Sequence, residues 1–399
     1  MNMELKGKYA TAIVYAWNVE QGAMSQIIEM CNQEFAEGSK IRIMPDVHAG
    51  AGCVIGTTMT IKEKVVPNLV GVDIGCGMYV VKIGNQPIDL EKLDCVVNSI
   101  IPAGFEVRHD RHEYANMINL EELRCRNSIN MERAILSIGT LGGGNHFIEL
   151  NKDDEGCFYL VVHSGSRNAG KQVAEHYQNL AYQEANGKRD SIQEMIKTLK
   201  NQGREREIQS ELANLKIQQV RKDLAWLEGE SLSDYLHDMA IMQRYASLNR
   251  KAIAHDILKS AGLWQRNMES FETVHNYIDV NKMILRKGAV SAEKDEILLI
   301  PINMRDGSLL CKGKGNDNWN RSAPHGAGRL MSRSEAKSSI SMSEFEKSMV
   351  GIYTTSVKQS TLDECPMAYK PMEEIINNTK DTIEILSIIK PVYNYKSGG

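Results

Sequence analysis

The sequence lacks several features that would assign its class at once. Its eight cysteines include no Cys-x-x-Cys pair, no apolar run is long enough to span a bilayer, and no repeat has the period of a solenoid or propeller. The first residues also lack the apolar core of a signal peptide. These absences argue against a disulfide-stapled scaffold and a membrane-spanning protein, and they predict a cytoplasmic chain.

A strong charge of either sign is also missing. Lysine and arginine total 47 against 51 aspartates and glutamates, which gives a formal charge of −4. Such a balance excludes a protein that coats nucleic acid through bulk charge, although a local basic pocket remains compatible with it. No linker rich in proline or serine divides the 399 residues, so we predict one domain that spans residues 1–399.

The hydrophobic pattern predicts an α+β fold with central β-structure and a helical excursion at about residues 172–262. Charged segments of helical spacing, including 209–226, characterise the excursion. Before and after it the pattern indicates short apolar strands at 40–44, 52–61, 78–83, 158–163, 283–287, 296–300 and 391–396.

Five short segments rich in glycine, histidine and asparagine stand out against this background. Glycine permits positive φ and a close approach of the backbone to a ligand, whereas His, Cys and Asp supply N, S and O donors. One such segment would indicate a loop, but five indicate a single shared site. The segments are 71–78, 142–147, 162–167, 274–276 and 324–329.

Asp73-Ile-Gly-Cys76 places a carboxylate and a thiol three residues apart in a glycine-rich turn. A hard oxygen combined with a soft sulfur suits a transition ion such as Mn²⁺, Fe²⁺ or Zn²⁺ better than Mg²⁺ or Ca²⁺. A tight turn with a buried cysteine is the alternative. His146, His163 and His275 would each be structural if taken alone, but together they favour a metal site.

Residues 165–171 almost match the phosphate-binding P-loop between a predicted strand and a predicted helix. The motif requires Ser or Thr at the next position to hold Mg²⁺, and this chain has Gln172 there. We therefore interpret the segment as a near miss.

A second phosphate-binding pattern lies near the carboxyl end. His325 is followed by small residues, then by Arg329 and Arg333. Guanidinium groups grip phosphate at two points, and glycine N–H groups can line an anion site. The histidine is a candidate acid, base or nucleophile. A simple His-Gly turn is the alternative interpretation.

Taken together, these segments resemble the RNA-splicing ligases of the RtcB family, the 3′-phosphate/5′-hydroxyl nucleic acid ligases. The resemblance runs in order through nearly the whole chain. It is carried by Met44-Pro-Asp-Val-His48, Val72-Asp-Ile-Gly-Cys-Gly-Met78, Gly139-Thr-Leu-Gly-Gly-Gly-Asn-His-Phe-Ile-Glu149, His163-Ser-Gly-Ser-Arg167, His275-Asn276, Arg286-Lys-Gly-Ala-Val-Ser-Ala292 and His325-Gly-Ala-Gly-Arg329 with Met331-Ser-Arg333.

The resemblance implies a site for two Mn²⁺ ions per subunit and a guanosine nucleotide. Asp73, Cys76 and His146 would hold one ion, and Cys76, His163 and His275 the other. His325 matches the histidine that is guanylylated by GTP. The residues implied to contact the nucleotide are Asn145, His146, Phe147, Ile148, Glu149, His275, Asn276, Pro301, Ile302, Asn303, Met304, Ser308, His325, Gly326, Ala327, Gly328 and Lys396.

The expected function is therefore GTP- and Mn²⁺-dependent joining of RNA 3′-phosphate or 2′,3′-cyclic phosphate ends to 5′-hydroxyl ends. Arg167, Arg329 and Arg333 are candidates for RNA phosphate contacts, and a helper protein for guanylylation is possible. One departure is Pro301-Ile-Asn-Met304, where the family usually has Pro-Gly-Ser-Met. A metal-dependent phosphoesterase acting on RNA ends and a non-catalytic RNA end-binding protein remain as alternatives.

Overall fold

The structure is a computed structural model that describes residues 3–209, 211 and 220–397, with the backbone alone for 186–194. Helices and sheets both contribute to it, so the predicted α+β class is confirmed. Half of the amphipathic segment predicted at 209–226, residues 210 and 212–219, lies outside the described residues. Its described end is not α-helical, because residues Lys222–Leu224 form a single 3₁₀ turn.

Each of the seven predicted strand positions overlaps a strand of the structure, and the described residues contain eight further strands that were not predicted. The strands of the described residues are β1 (Met3–Lys6), β2 (Thr11–Val14), β3 (Ile41–His48), β4 (Ile55–Thr60), β5 (Gly77–Gly84), β6 (Phe147–Lys152), β7 (Phe158–Ser164), β8 (Ser270–Val274), β9 (Asn276–Asp279), β10 (Ile284–Lys287), β11 (Ala289–Ser291), β12 (Ile297–Asn303), β13 (Gly307–Gly313), β14 (Ser322–Pro324) and β15 (Ile383–Lys396).

These strands form three sheets. The first has the order β1-β2-β3-β4-β10-β9 and contains one parallel pair, β2 with β3. The second is the short antiparallel pair of β11 and β14. The third has the order β12-β13-β15-β6-β7-β5-β8, and all of its neighbours are antiparallel.

Strand β15 joins the two halves of the third sheet. Its first part pairs with β13 up to Ile389, and its second part pairs with β6 from Lys390 onwards. The register of the second pairing shifts between Pro391 and Tyr393. Proline has no N–H to donate, so a bulge at this position lets the strand change partners without losing a regular ladder bond.

The helical excursion predicted at about 172–262 corresponds to two long helices. The helices of the described residues are α1 (Gln21–Cys31), α2 (Leu90–Ile100), α3 (Met131–Leu136), α4 (Arg167–Asn201), α5 (Gly229–Ala261), α6 (Arg333–Ser339), α7 (Met342–Ser348) and α8 (Met372–Thr379). In the described part of the chain, no helix combines the length and apolarity that crossing a membrane requires.

Helix α5 packs against β5 and β7 and fixes their ends. Its fully buried Arg250 donates to the carbonyl oxygens of Gly75 at 2.7 Å and Ser164 at 2.9 Å, and it pairs with Glu272 at 3.1 Å. A buried guanidinium needs such partners, because an unpaired charge would cost several kcal/mol. Arg250 therefore ties together the start of β5 and the end of β7.

Candidate metal and nucleotide site

The candidate metal ligands meet at one edge of the third sheet. Cys76 precedes β5, His146 precedes β6, His163 lies near the end of β7 and His275 follows β8. Neighbouring strands in the order β6-β7-β5-β8 are antiparallel. The starts of β6 and β5 therefore lie at the same edge of the sheet as the ends of β7 and β8. The pairs Gly77 with Ser164 and Phe147 with His163 set this register.

Cys76 lies at the centre of this group. Its Sγ atom is 3.3 Å from Nε2 of His163 and 3.5 Å from Nε2 of His146. One ligand atom from each of these three buried residues lies within 4.8 Å of the others. Nε2 of His146 is also 3.0 Å from Oδ2 of Asp73, so a carboxylate completes the cluster.

The second ring nitrogen of each histidine shows what the cluster is suited to hold. Nδ1 of His146 contacts the Leu141 carbonyl oxygen at 2.8 Å, and Nδ1 of His163 contacts that of Asn145 at 3.2 Å. A carbonyl oxygen can only accept, so Nδ1 carries a proton in both rings, and each Nε2 faces the cluster, where the neutral ring offers a lone pair to a cation. Converging lone pairs from nitrogen, sulfur and carboxylate oxygen suit a divalent transition ion.

The pKa shifts of the cluster favour neutral imidazoles at His163 and His275 and an ionised carboxylate at Asp73. Burial, helped by neighbouring imidazoles, lowers the pKa of His163 and of His275 well below the usual value. Burial alone would raise the pKa of Asp73, but hydrogen bonding and charge from His146 outweigh it and lower the pKa to about 2. Burial and Asp73 raise the pKa of Cys76, a direction that a bound cation would reverse.

A row of imidazoles connects the metal cluster to His325. The ring centroids of His163 and His275 are 5.1 Å apart, and those of His275 and His325 are 4.9 Å apart. Nδ1 of His275 is buried and has no hydrogen-bond partner among the described residues. A buried nitrogen normally has a hydrogen-bond partner. The absence of one here leaves this nitrogen available to bind a metal ion.

His325 is oriented by a buried carboxylate. Nδ1 of His325 is 2.6 Å from Oδ2 of Asp46, which also accepts from the His325 backbone N–H at 3.1 Å. Asp46 is fully buried, whereas the His325 side chain is 19% exposed. Because the carboxylate accepts the Nδ1 proton, Nε2 is left with a lone pair, as a nucleophile or base requires.

His325 opens into a cleft at the surface of the molecule. Most of the residues expected to contact a nucleotide line it. They are Asn145, Phe147, Glu149, His275, Pro301, Ile302, Asn303, Met304, His325, Gly326, Ala327, Gly328 and Lys396.

Four other expected nucleotide residues do not line the cleft. His146 belongs to the metal cluster, and Asn276 bonds the Asp73 carbonyl oxygen and the Gly288 N–H. Ile148 points to the opposite face of β6 and packs in an apolar cluster, since side chains alternate along a strand. Ser308 is fully buried on β13, with its Oγ atom unpaired among the described residues.

Glu364 and the cations paired with it form one wall of the cleft. The buried Glu364 carboxylate pairs with Lys396 at 2.5 Å and Arg333 at 2.9 Å, and it accepts from the Tyr369 hydroxyl at 2.6 Å. Burial alone would raise the pKa of Glu364, but Lys396 and Arg333 lower it to about 2. On another wall, burial raises the pKa of Glu149 to about 7.

The three arginines considered for RNA contacts occupy different settings. Arg329 pairs with Glu364 at 3.4 Å, and Arg333 pairs with Asp363 at 2.7 Å; both line the cleft. Arg167 has a positive φ of 56° and donates to Thr140 and to the Gly104 carbonyl oxygen. Their proposed contacts with RNA phosphate stay a prediction.

The near P-loop does not face the cleft. Lys171 is half exposed on α4, where its Nζ atom lies 3.7 Å from Glu175. Gln172 accepts a hydrogen bond from the Asn130 backbone at 3.1 Å. The segment therefore begins a helix, and Ser166 at its start donates its N–H to Asp73.

Sequence reasoning assigned no role to four residues that shape the site. Asp46 orients His325, His48 lines the cleft, and Glu364 and Tyr369 build its charged wall. The sequence could have identified Asp46 and His48, because they belong to Met44-Pro-Asp-Val-His48, one of the segments that carry the family resemblance. No local pattern marks Glu364 or Tyr369, whose position depends on the tertiary fold.

Comparison with known proteins agrees with this geometry. The family model described as "tRNA-splicing ligase RtcB" matches residues 26–122 and 94–397. The "RNA-splicing ligase RtcB" of Escherichia coli (strain K12) is 30% identical over 94% of this chain and 94% of its own length. The "tRNA-splicing ligase RtcB" of Nanoarchaeum equitans is 26% identical over 88% of this chain and 86% of its own length.

Proposed function

The chain belongs to the RtcB family of RNA-splicing ligases, and from this premise we propose that it joins RNA 3′-phosphate ends to 5′-hydroxyl ends with GTP and Mn²⁺. The observation that carries the proposal is the juxtaposition of His325, oriented by Asp46, with the Cys76, His146 and His163 cluster. Neither element alone indicates ligation, but together they supply a nucleophile beside a site for divalent cations.

In the first step, the Nε2 lone pair of His325 attacks the α-phosphorus of GTP. A phosphorus–nitrogen bond forms, the bond from the α-phosphorus to the bridging oxygen breaks, and pyrophosphate leaves. The imidazole gains positive charge as the bond forms. Asp46 holds the Nδ1 proton and stabilises this charge, because the 2.6 Å contact is short and charge-assisted.

In the second step, an oxygen of the RNA 3′-phosphate attacks the phosphorus of the adduct, and His325 recovers its lone pair. The RNA 5′-hydroxyl then attacks the activated 3′-phosphate, loses its proton and expels GMP. A 2′,3′-cyclic phosphate end must first be opened by water. Residues of the cleft, including Phe147, Glu149 and Lys396, would hold the guanosine nucleotide during these steps.

The donor set fits the proposed metals. Asp73, Cys76 and His146 would hold one Mn²⁺, and Cys76, His163 and His275 would hold a second, with the Cys76 thiolate shared. Bound divalent cations supply neutralisation of phosphate charge and orientation of the attacking and leaving groups.

Ligation of a labelled RNA tests the proposal. We expect the protein with GTP and Mn²⁺ to join a 3′-phosphate strand to a 5′-hydroxyl strand, and the His325→Ala variant to fail. The same variant should still seal RNA that already carries a 3′-terminal guanylate cap, because that substrate bypasses the first two steps. Retained metal content would show that the variant is folded around its ions. Sealing of uncapped ends by His325→Ala would contradict the proposal.

A further inference from the structure

Phe105 is a prominent surface feature that the proposed chemistry does not use. Its side chain is 90% exposed, more than any other large apolar side chain of the described residues. Single exposed apolar residues are common, so exposure alone carries little weight. What distinguishes Phe105 is where its loop lies and how firmly that loop is held.

The loop of residues 102–106 is attached to the segment that leads to the metal ligand His146. The Pro102 carbonyl oxygen accepts from the Leu141 N–H at 2.9 Å, and Ala103 forms a parallel bridge with Gly142. Phe105 therefore projects from a loop bonded to the start of the glycine-rich turn, which continues into Asn145 on the cleft wall.

Two guanidinium groups hold the backbone at the aromatic residue. Arg167 donates to the Gly104 carbonyl oxygen at 3.0 Å, and Arg133 on α3 donates to that of Phe105 at 2.5 Å. Among the described residues neither arginine has a carboxylate within 4 Å, and Asp73 acts on Arg167 only from a greater distance. Ser166, which precedes Arg167 in the sequence, donates its N–H to the candidate metal ligand Asp73.

Contacts within the loop also restrain its backbone. Glu106 N–H donates to the Ala103 carbonyl oxygen at 3.1 Å, and Gly104 adopts a φ of +62° that favours glycine. An exposed aromatic ring on an anchored backbone, with arginines bonded to that backbone, is an arrangement that suits single-stranded nucleic acid, because bases stack on the ring while cations meet the phosphates.

We propose that Phe105 is a stacking platform for one nucleobase of the RNA strand near the end to be joined. The inference rests on the proposed function, since it assigns a contact to the same substrate. The ring would not take part in bond formation. It would instead position the strand on the rim of the cleft, with Arg133 and Arg167 near the neighbouring phosphates.

Binding measurements that combine protein variants at Phe105 with RNAs that lack one base test this inference. The protein variants are Phe105→Leu, which keeps apolarity but loses the ring, and Phe105→Tyr, which keeps the ring. Val350→Ala is the matched control, because Val350 is 82% exposed and lies outside the site. The RNAs carry a 3′-phosphate or a 5′-hydroxyl end, with a single abasic nucleotide placed at successive positions from that end. Affinity is measured by fluorescence anisotropy.

We expect Phe105→Leu to weaken binding of intact RNA by roughly 5- to 150-fold, the range for loss of one base–aromatic stack. The loss should vanish with RNA that is abasic at one position, and Phe105→Tyr and Val350→Ala should bind like the wild type. Unchanged affinity of Phe105→Leu, or a loss that is equal for every abasic RNA, would overturn the inference.

GMP adduct formation by the same preparations separates this inference from the proposed function. Phe105→Leu should form the adduct at the wild-type rate, because Phe105 is not among the residues that line the cleft around His325. A wild-type protein that forms no adduct and ligates no RNA would overturn the proposed function. Normal ligation with no dependence on the ring would overturn the stacking role alone.

Discussion

Replacing Asp46 by asparagine tests how His325 is activated. Both hydrogen bonds from His325 reach Oδ2 of Asp46, and Oδ1 is buried without a partner among the described residues. In Asp46→Asn the amide oxygen can still accept the Nδ1 proton, but the negative charge is lost. Alternatively the amide turns over, its NH₂ group donates to Nδ1, and the proton moves to Nε2, where it blocks the lone pair.

The expected size of the effect follows from the loss of the charge. A hydrogen bond to a charged group contributes about 1.5–3 kcal/mol, and each 1.36 kcal/mol corresponds to about tenfold in rate. If the whole contribution acts on the developing positive charge of the imidazole, guanylylation should slow by roughly 10- to 150-fold. The wrong tautomer would slow it further.

The assay is the single-turnover rate of GMP adduct formation, followed by intact mass. Asp94→Asn is a matched control, since Asp94 is also a buried aspartate but bonds Tyr393 and Thr355 at 3.0 Å, away from the cleft. The control should form the adduct at the wild-type rate. A wild-type rate in folded, metal-loaded Asp46→Asn would refute the role given to this carboxylate.

Three further predictions follow from the same geometry. Cys76→Ala should abolish tight binding of both Mn²⁺ ions, whereas His275→Ala should chiefly weaken one, as metal content by mass spectrometry can show; wild-type stoichiometry in Cys76→Ala would contradict the shared thiolate. Lys171→Ala should leave adduct formation intact because this lysine is exposed on α4, and loss of the adduct in a folded, metal-loaded variant would restore the P-loop interpretation. The pKa of Glu364 is lowered from 4.5 to about 2, so its ionised form stabilises the fold above about pH 4.5 and that contribution disappears as the pH falls towards 2. Thermal unfolding should therefore show Glu364→Gln losing less stability than the wild type over this range, by at most about 3 kcal/mol, and parallel pH profiles would count against the ion-pair cluster.

The sequence predicted those parts of the fold that depend on local pattern. The strand at 77–84, the first half of the strand at 41–48, and the two long helices α4 and α5 follow from apolar periodicity and from the positions of glycine. The 14-residue strand β15 was predicted only from Pro391 onwards. A proline in the sequence pattern suggests the start of a strand. Pro391 instead lies inside β15, at the bulge where the strand changes partners.

The candidate site was predictable where residue type limits the chemistry. Asp73 and Cys76 in one glycine-rich turn, taken together with the three histidines, favour a metal site, and the structure brings Cys76, His146 and His163 together. The partner of His325 was not predictable in this way, because Asp46 lies 279 positions away and meets it only through the packing of β3. The same limit applies to Arg329 and Arg333, whose acidic partners come from the segment at 363–364.

The most direct test of the central claim is the mass and chemical stability of the protein after incubation with GTP and Mn²⁺. We expect the addition of one GMP to His325, through a linkage that is labile to acid and hydroxylamine but stable to alkali, as expected of a phosphoramidate. His325→Ala should keep its metals and gain no mass. Release of phosphate from RNA ends without an adduct, an alkali-labile adduct, or an adduct that persists in His325→Ala would contradict it.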